Sequence, residues 1–513
     1  MNGDIRGKLE YVIHIVFSMI FVILAFFTLF HFERYNLKFE HSTLKTLIFA
    51  GCAFLIVRLY MFCIEKSKDR ANIVRVLLAG TMFVLQMLFC LKVMTPIGWD
   101  VEEVVNSAEF GMYNGYYFAR LPQNLFLHLV LRVWWQMFDF IPFLSAMRIM
   151  EILNLLCVNI SLLMLYFLAK KIYGQKAADR IWISSILLIA FHPTLTTIYS
   201  DTMAMPYPIG ILMFATYGFA AKERWLKILC GAGIGVFIII GYSIKPTAVI
   251  VAIAILIFIG LKYKKNETIK KCSTMMICAL IFASITFGVI YTIEKPIKEQ
   301  LRKEYADIKP HSILHYVGLG LSGPEDGISG FGSYCETEVE WTHAHRNNPE
   351  YKKEAINHII ERIVKKGFIG YPQHLMDKII WSGSDGTFFY GREGDFHLEE
   401  QSEQGTLRGF LQNATYRETE FYQKWFSSWM QGIWFYVCVL CAVSIFRRAD
   451  SVFNGIAKLS VCGLFLFLMI FENRSRYLFL FLPVILIAAE SNVGIDSILE
   501  WAKKGIKKNL KRL

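Results

Sequence analysis

Charge is scarce in this 513-residue chain: Asp, Glu, Lys and Arg make up 19% of it, against about 25% in soluble domains. That scarcity excludes a disordered or nucleic-acid-coating protein, despite a formal net charge of +12. Disulfide chemistry is also missing as a framework. Of eleven cysteines, only Cys335 stands clear of the apolar runs, so the others act as small apolar residues. No repeat of about 20–50 residues and no low-complexity tract is present. A P-loop, a dinucleotide fingerprint and zinc-ligand spacing are absent too, so neither a cofactor nor a metal is expected.

What the chain has is apolar side chains, 55% of the total, gathered into long runs. A run of about 18–20 apolar residues crosses a bilayer core of roughly 30 Å. About twelve spans are read, at roughly 11–30, 43–64, 72–93, 145–169, 181–198, 203–221, 226–243, 246–262, 272–293, 429–446, 457–471 and 477–493. The first is too long for a signal-peptide core and lacks a small-residue cleavage site, so it is kept as a span.

Lys and Arg collect in alternate loops, which marks those loops as cytoplasmic. The basic sets are Lys66, Lys68, Arg70 and Arg75; Lys170, Lys171, Lys176 and Arg180; Lys222, Arg224 and Lys227; Lys262, Lys264, Lys265, Lys270 and Lys271; Arg447 and Arg448; and the tail from Lys503 to Arg512. The intervening loops hold only Arg34, Lys38, Arg120, Lys245, Arg474 and Arg476. This alternation places both termini in the cytoplasm of a plasma-membrane protein. Anionic lipid heads account for the positive excess, and nucleic acid is not needed as a partner.

Parity then puts 94–144, 199–203, 244–246, 294–428 and 472–476 outside. The apolar stretch 123–138 reads as an interfacial amphipathic helix with Trp134 and Trp135 at headgroup level. Four regions follow: a helix pair over 1–71, a transmembrane core over 72–293, an extracytoplasmic α or α/β domain over 294–428, and C-terminal helices with a basic tail over 429–513. Within the outer domain, Ile356, Ile359, Ile360 and Ile363 predict a helix near 350–366 that Gly367, Gly370 and Pro372 stop. Gly-rich stretches at 318–333 and 383–394 read as loops.

Several polar groups sit at outer span ends. Trp99-Asp100-Val-Glu102-Glu103 offers a carboxylate as general base; the same acids also suit the first turn of a helix. His192-Pro193 and Tyr199-Ser200-Asp201-Thr202 put a second acid in a short connection, where an N-cap is the equal alternative. Lys245 stands alone between two runs, and Glu472-Asn-Arg474-Ser-Arg476-Tyr477 joins the last two. Cations at this depth are costly unless paired with an anion; the alternative for each is snorkelling to lipid phosphate. Together, acids and bases on one side suggest a site for a phosphate-bearing lipid. His343-Ala-His345 is a weak metal signal. Ser382 to Thr387 is turn chemistry that offers substrate contact through Asp385, and Asn413-Ala-Thr415 is a formal glycosylation acceptor.

The arrangement resembles the GT-C superfamily of polyprenyl-phosphate-sugar-dependent membrane glycosyltransferases, of the protein O-mannosyltransferase and aminoarabinose-transferase type, and more narrowly its Gram-positive integral membrane branch. Four stretches carry the resemblance. Trp99-Asp100 with Tyr117-Phe-Ala-Arg120-Leu-Pro122-Gln-Asn124 is similar to the first acidic motif, with Gln123 in place of the usual Asn. His192-Pro193 through Asp201-Thr202 to Pro206 is similar to the second. Ile244-Lys245-Pro246-Thr247 looks like a basic turn of the branch, and Trp381 with Asp385-Gly386-Thr387-Phe388 like its outer signature. The resemblance implies Asp100 as catalytic base, assisted by Asp201, with Glu103 a further catalytic candidate. It implies Lys245, Arg474 and Arg476 on the lipid phosphate, with Tyr477, Asn124, His192 and Asp385 as further substrate-binding candidates. The implied reaction moves a sugar from a polyprenyl-monophosphate donor to a polysaccharide, glycolipid or protein acceptor of the cell envelope. A lipid-linked sugar transporter or flippase, or a polysaccharide polymerase or ligase, are the alternatives. Acids at span ends and the missing repeat weigh against the transporter.

Overall fold

The computed structural model describes residues 2–35, 39–93, 95, 97–112, 114–262, 267–390, 402–446 and 451–490. Among them the regular elements are all helical, so of the α and α/β forms expected outside the spans, the described residues take the α form. Lys264, Lys265, Arg447, Arg448, the tail from Lys503 to Arg512, residues 391–394 of the second Gly-rich loop and residues 491–493 of the last expected span lie outside the described residues.

Among the described residues, eight stretches are long and apolar enough to cross a membrane: Glu10–Leu29, Thr43–Lys92, Ala146–Tyr173, Ser200–Ala220, Arg224–Ile244, Ser273–Glu304, Tyr422–Val443 and Val452–Ile470. Thr43–Lys92 holds two helices, Thr43–Ser67 and Ala71–Lys92, parted by a turn at Lys68 with φ 40. Three other expected runs form shorter helices. Gln175–Ser185 continues as a wide turn to Ala190 and ends where Pro193 disfavours helix in the residue before it. Pro246 opens a tight turn before Ile250–Lys262. Arg476–Phe479 and Leu482–Ala489 make the last, broken at Pro483, whose missing N–H suits a helix start. This last segment is apolar all round and lies at the centre of the bundle, with Leu478 to Leu482 inaccessible to solvent apart from a trace.

Lipid chains are as apolar as leucine, so helices in a membrane hold together by close packing rather than by a hydrophobic drive. Gly231 and Gly235 provide it for Arg224–Ile244. A Cβ at either would stand 2.4 Å from the Met275 carbonyl oxygen or 2.3 Å from that of Ala279 on the facing helix. Gly432 does the same for Ser427–Val443 against Phe49 and Ala50. The N-terminal helices therefore pack on the C-terminal ones and share one core with them.

The helix expected over 350–366 forms and is broken at Gly367, as expected, whereas Gly370 and Pro372 lie within a second helical arm. Gly367 takes φ 74 and ψ 177, a conformation open to glycine without strain, and the second arm starts directly after it and runs to Gly383. Lys378, on that second arm, is fully buried and donates to the carbonyls of Gly320, Met469 and Phe471 at 2.8, 2.9 and 2.8 Å. Asn473 adds bonds to the Phe331 and Lys378 carbonyls at 3.1 and 2.8 Å. These contacts clamp the 318–333 loop, the outer helix and the 472–476 turn into one unit. Leu125–Phe138 is a separate helix, too short at about 21 Å to span. Its Trp134 indole donates to the Ile149 carbonyl at 2.8 Å.

The bundle has two distinct ends. Arg75 lies near the start of the 22-residue helix Ala71–Lys92 and Trp99 follows its finish, about 26 Å further along. Asp179 lies near the start of the 175–190 segment and Asp201 follows its finish, and Glu490 and Arg476 lie at the two ends of the final one. At the first end, Arg75 grips Asp179 through two bonds of 2.7 Å, Arg180 pairs with Glu490 at 2.7 Å and Lys176 with Glu65 at 2.9 Å.

Candidate active site

At the opposite end, Asp201 is 1% exposed and meets two cations. Lys245 Nζ is 3.0 Å from its Oδ1 and Arg476 Nε is 3.8 Å from Oδ2. The segment orders itself for this: Tyr199 is extended, Ser200–Met203 is one helical turn, and Lys245 follows Arg224–Ile244 in extended backbone. Aromatic faces hold the cations in place. Lys245 Nζ is 4.0 Å from the Tyr477 ring, and the Arg476 guanidinium is 4.0 Å from Tyr199 and 5.5 Å from Tyr477. Glu472 bridges the turn, with Arg474 Nε at 3.4 Å and the Tyr477 hydroxyl donating to it at 3.2 Å. In these contacts three cations gather around two carboxylates.

Trp99 links this cluster to Asp100. The Arg474 guanidinium sits 5.7 Å from its ring, and Trp99 itself has φ 63. A left-handed aromatic residue is a strained one, and such strain gathers at functional positions. Asp100 opens the helix Asp100–Phe110, where a carboxylate is favoured by the dipole. Its side chain remains exposed. The Tyr117 hydroxyl donates to Asp100 Oδ1 at 2.9 Å, and Asn124 donates to that hydroxyl in turn. Burial, followed by the Asp100 charge, pushes the Tyr117 phenol well above its ordinary range, which keeps it a donor. Burial, with the charges of Glu472 and Asp100 behind it, pushes Tyr316 upward as well. Glu103, one turn on from Trp99, has its Oε2 enclosed with no hydrogen-bond partner among the described residues.

The structure therefore brings together Asp100, Glu103, Asn124, Asp201, Lys245, Arg474, Arg476 and Tyr477, on two linked sub-clusters. The contacts of His192 and Asp385 are with other neighbours. The His192 ring packs 4.9 Å from Phe479 and its Nδ1 meets the Thr194 hydroxyl at 2.7 Å. Asp385 is fully buried and accepts from the backbone and hydroxyl of Thr387 at 2.8 and 2.6 Å. Its carbonyl takes the Ser475 hydroxyl at 3.4 Å, so both residues brace the 472–479 segment from behind. His343 and His345 take different neighbours, since residues two apart point to different sides of a helix. His345 stacks 4.4 Å from Trp341, while His343 faces His311. Glu472 and Tyr199 were quoted within sequence motifs, but only their side-chain contacts mark them as members of the cluster.

An apolar helical bundle with a polar end of this kind is an integral, multi-pass membrane protein. A family model described as "Conserved hypothetical integral membrane protein" matches residues 7–494, and the chain belongs to that family. No curated protein gives a significant match. Among solved structures, the chain is similar to the crystal structure of ArnT from Cupriavidus metallidurans bound to undecaprenyl phosphate. The likeness is at 12% identity over 81% of this chain and 77% of that one, with a TM-score of 0.33.

Proposed function

We propose that this protein is a GT-C-type glycosyltransferase that moves a sugar from a polyprenyl-monophosphate donor to an extracytoplasmic acceptor of the cell envelope. The observation that carries the reading is the convergence of Lys245, Arg474 and Arg476 on two carboxylates, one linking aromatic residue away from Asp100. Fixed cations gathered at a bundle end match a leaving phosphate. The exposed carboxylate beside it matches a base that takes a proton from an attacking hydroxyl.

In this mechanism the Asp100 carboxylate, oriented by Tyr117 and Asn124, accepts the proton of the acceptor hydroxyl. The acceptor oxygen bonds to the anomeric carbon as the bond from that carbon to the phosphate oxygen breaks. The electron pair leaves on polyprenyl phosphate, whose new charge Lys245, Arg474 and Arg476 stabilise. Asp201 holds Lys245 and Arg476 at one point so that neither turns away towards lipid. Direct displacement inverts the anomeric centre.

The membrane reading goes with it. Thr43–Lys92 counts as two crossings, and the short segments at 175–190, 246–262 and 476–489 complete about twelve. Both termini then face the cytoplasm of the plasma membrane and the Asp100 end faces out, in accord with the Lys and Arg bias. Purified wild-type protein should release polyprenyl phosphate from radiolabelled polyprenyl-monophosphate sugars. Asp100→Asn should lower transfer by about 10²–10⁴-fold without changing folding or donor binding. Normal transfer by that variant would remove Asp100 as the base.

A further inference from the structure

Five buried nitrogens with no hydrogen-bond partner gather beyond the Asp100 helix, among the described residues. They are Nε of Arg120, Nε2 of His311, Nε2 of His343, and Nε and Nη1 of Arg346. Buried donors are ordinarily paired, and an enclosed guanidinium without an anion is costly. Arg346 is 7% exposed, with no ion pair among the described residues.

The four side chains come from three segments that are locked together. The His311 backbone N–H donates to the Arg120 carbonyl at 3.1 Å. His315 Nδ1 and the Thr342 hydroxyl meet at 2.8 Å. His343 and Arg346 are three apart at the end of Glu336–His345 and share a face. The His311 ring lies 5.5 Å from that of His343 and 4.2 Å from that of His315. Burial first, and then the neighbouring His and Arg side chains, pulls His311 down to about 2. His343 is lowered by burial and by Arg346 and Arg120. Without an anion the imidazoles are therefore neutral, and the charge belongs to the two guanidiniums. Two fixed guanidiniums repel a divalent cation, whereas their planar forks and the imidazole N–H groups match the oxygens of a phosphate.

We infer that Arg120, His311, His343 and Arg346 form an oxyanion site, apart from the Lys245 cluster, that holds a phosphate group of the acceptor. The acceptor assignment rests on the transferase reading; the oxyanion site does not. Arg120 ends the short helix that carries Tyr117, whose hydroxyl holds Asp100. The site is thus joined to the base, while the donor phosphate belongs to Lys245, Arg474 and Arg476.

The test uses inorganic phosphate on the purified full-length protein, read by unfolding midpoint and by calorimetry. Phosphate should raise the midpoint of wild type and of the K245A/R476A double variant. Arg346→Met and Arg120→Gln should each weaken phosphate binding by about tenfold or more, the loss of a charge-assisted hydrogen bond. In phosphate-free buffer Arg346→Met should unfold at the same temperature as wild type or higher, because it removes an uncompensated charge. A phosphate response that survives both substitutions would overturn the site. So would a lower phosphate-free midpoint or failure to fold in Arg346→Met, which would make Arg346 structural. A phosphorylated glycan should bind wild type more tightly than its neutral counterpart, and Arg346→Met should not distinguish the two. Equal binding of both glycans by wild type would overturn the acceptor assignment while the inorganic phosphate result stands by itself.

Discussion

Asp179 and Asp201 are each 1% exposed and lie at opposite ends of the same bundle, yet their charge surroundings differ. Arg75 closes on Asp179 with two bonds of 2.7 Å and Gln175 adds a third at 3.0 Å. One cation, one carboxylate and good geometry leave nothing for a ligand to add. Asp201 instead shares Lys245 at 3.0 Å and Arg476 at 3.8 Å, and a third cation, Arg474, lies on the same turn as Arg476. The first end is a fastening; under the proposed reading, the second gathers three cations as a seat for an anion.

Substitutions should separate the two. The largest effect on stability is expected at the closed end. Arg75→Ala leaves Asp179 buried without its partner, which should cost about 3–5 kcal/mol in unfolding free energy in detergent. Donor affinity of the protein that remains folded should be unchanged. Lys378→Met comes next. It leaves the Met469 and Phe471 carbonyls without the lysine donor, at about 1–3 kcal/mol for such unsatisfied groups, while His374 still meets the Gly320 carbonyl at 3.0 Å. Since that lysine fixes the turn carrying Arg474 and Arg476, donor binding should weaken alongside. Arg476→Ala should have the smallest effect on folding, no more than about 1 kcal/mol, because Asp201 keeps Lys245. Its cost should fall on polyprenyl phosphate binding, by about tenfold. Unfolding titrations and equilibrium lipid binding on the three variants check all of this. Equal destabilisation by Arg75→Ala and Arg476→Ala would erase the distinction between the ends.

Much of the helical architecture could be read from apolar run lengths alone. Val452–Ile470 and Arg224–Ile244 fall close to their expected bounds because one uninterrupted run makes one helix. Runs containing Pro193, Pro246 and Pro483 are broken where proline breaks them. The break at Gly367 was legible from the glycine itself, but the second arm to Gly383 was not, since Gly370 and Pro372 read as further stops and only tertiary contacts such as those of Lys378 hold that arm in place. The approach of Gly231 and Gly235 to carbonyls on the facing helix is likewise a tertiary fact. In the candidate site, the one-sidedness of Asp100, Asp201, Lys245 and Arg476 followed from the alternation of basic loops. Their pairings did not, and the bracing positions of His192 and Asp385 depend on contacts nearly 100 residues or more away in sequence, such as that of Ser475 with Asp385. Arg120 and Arg346 are separated by more than two hundred residues, so their shared pocket left no local pattern to find.

In the proposed mechanism the cation cluster around Asp201 is a seat for a lipid phosphate. Equilibrium binding of radiolabelled polyprenyl phosphate to wild type and to the K245A/R476A double variant tests it most directly. Wild type should bind saturably and the double variant about a hundredfold more weakly, two charged contacts at about tenfold each, with both proteins folded. Equal affinity for the two proteins, or no binding to wild type, would contradict it.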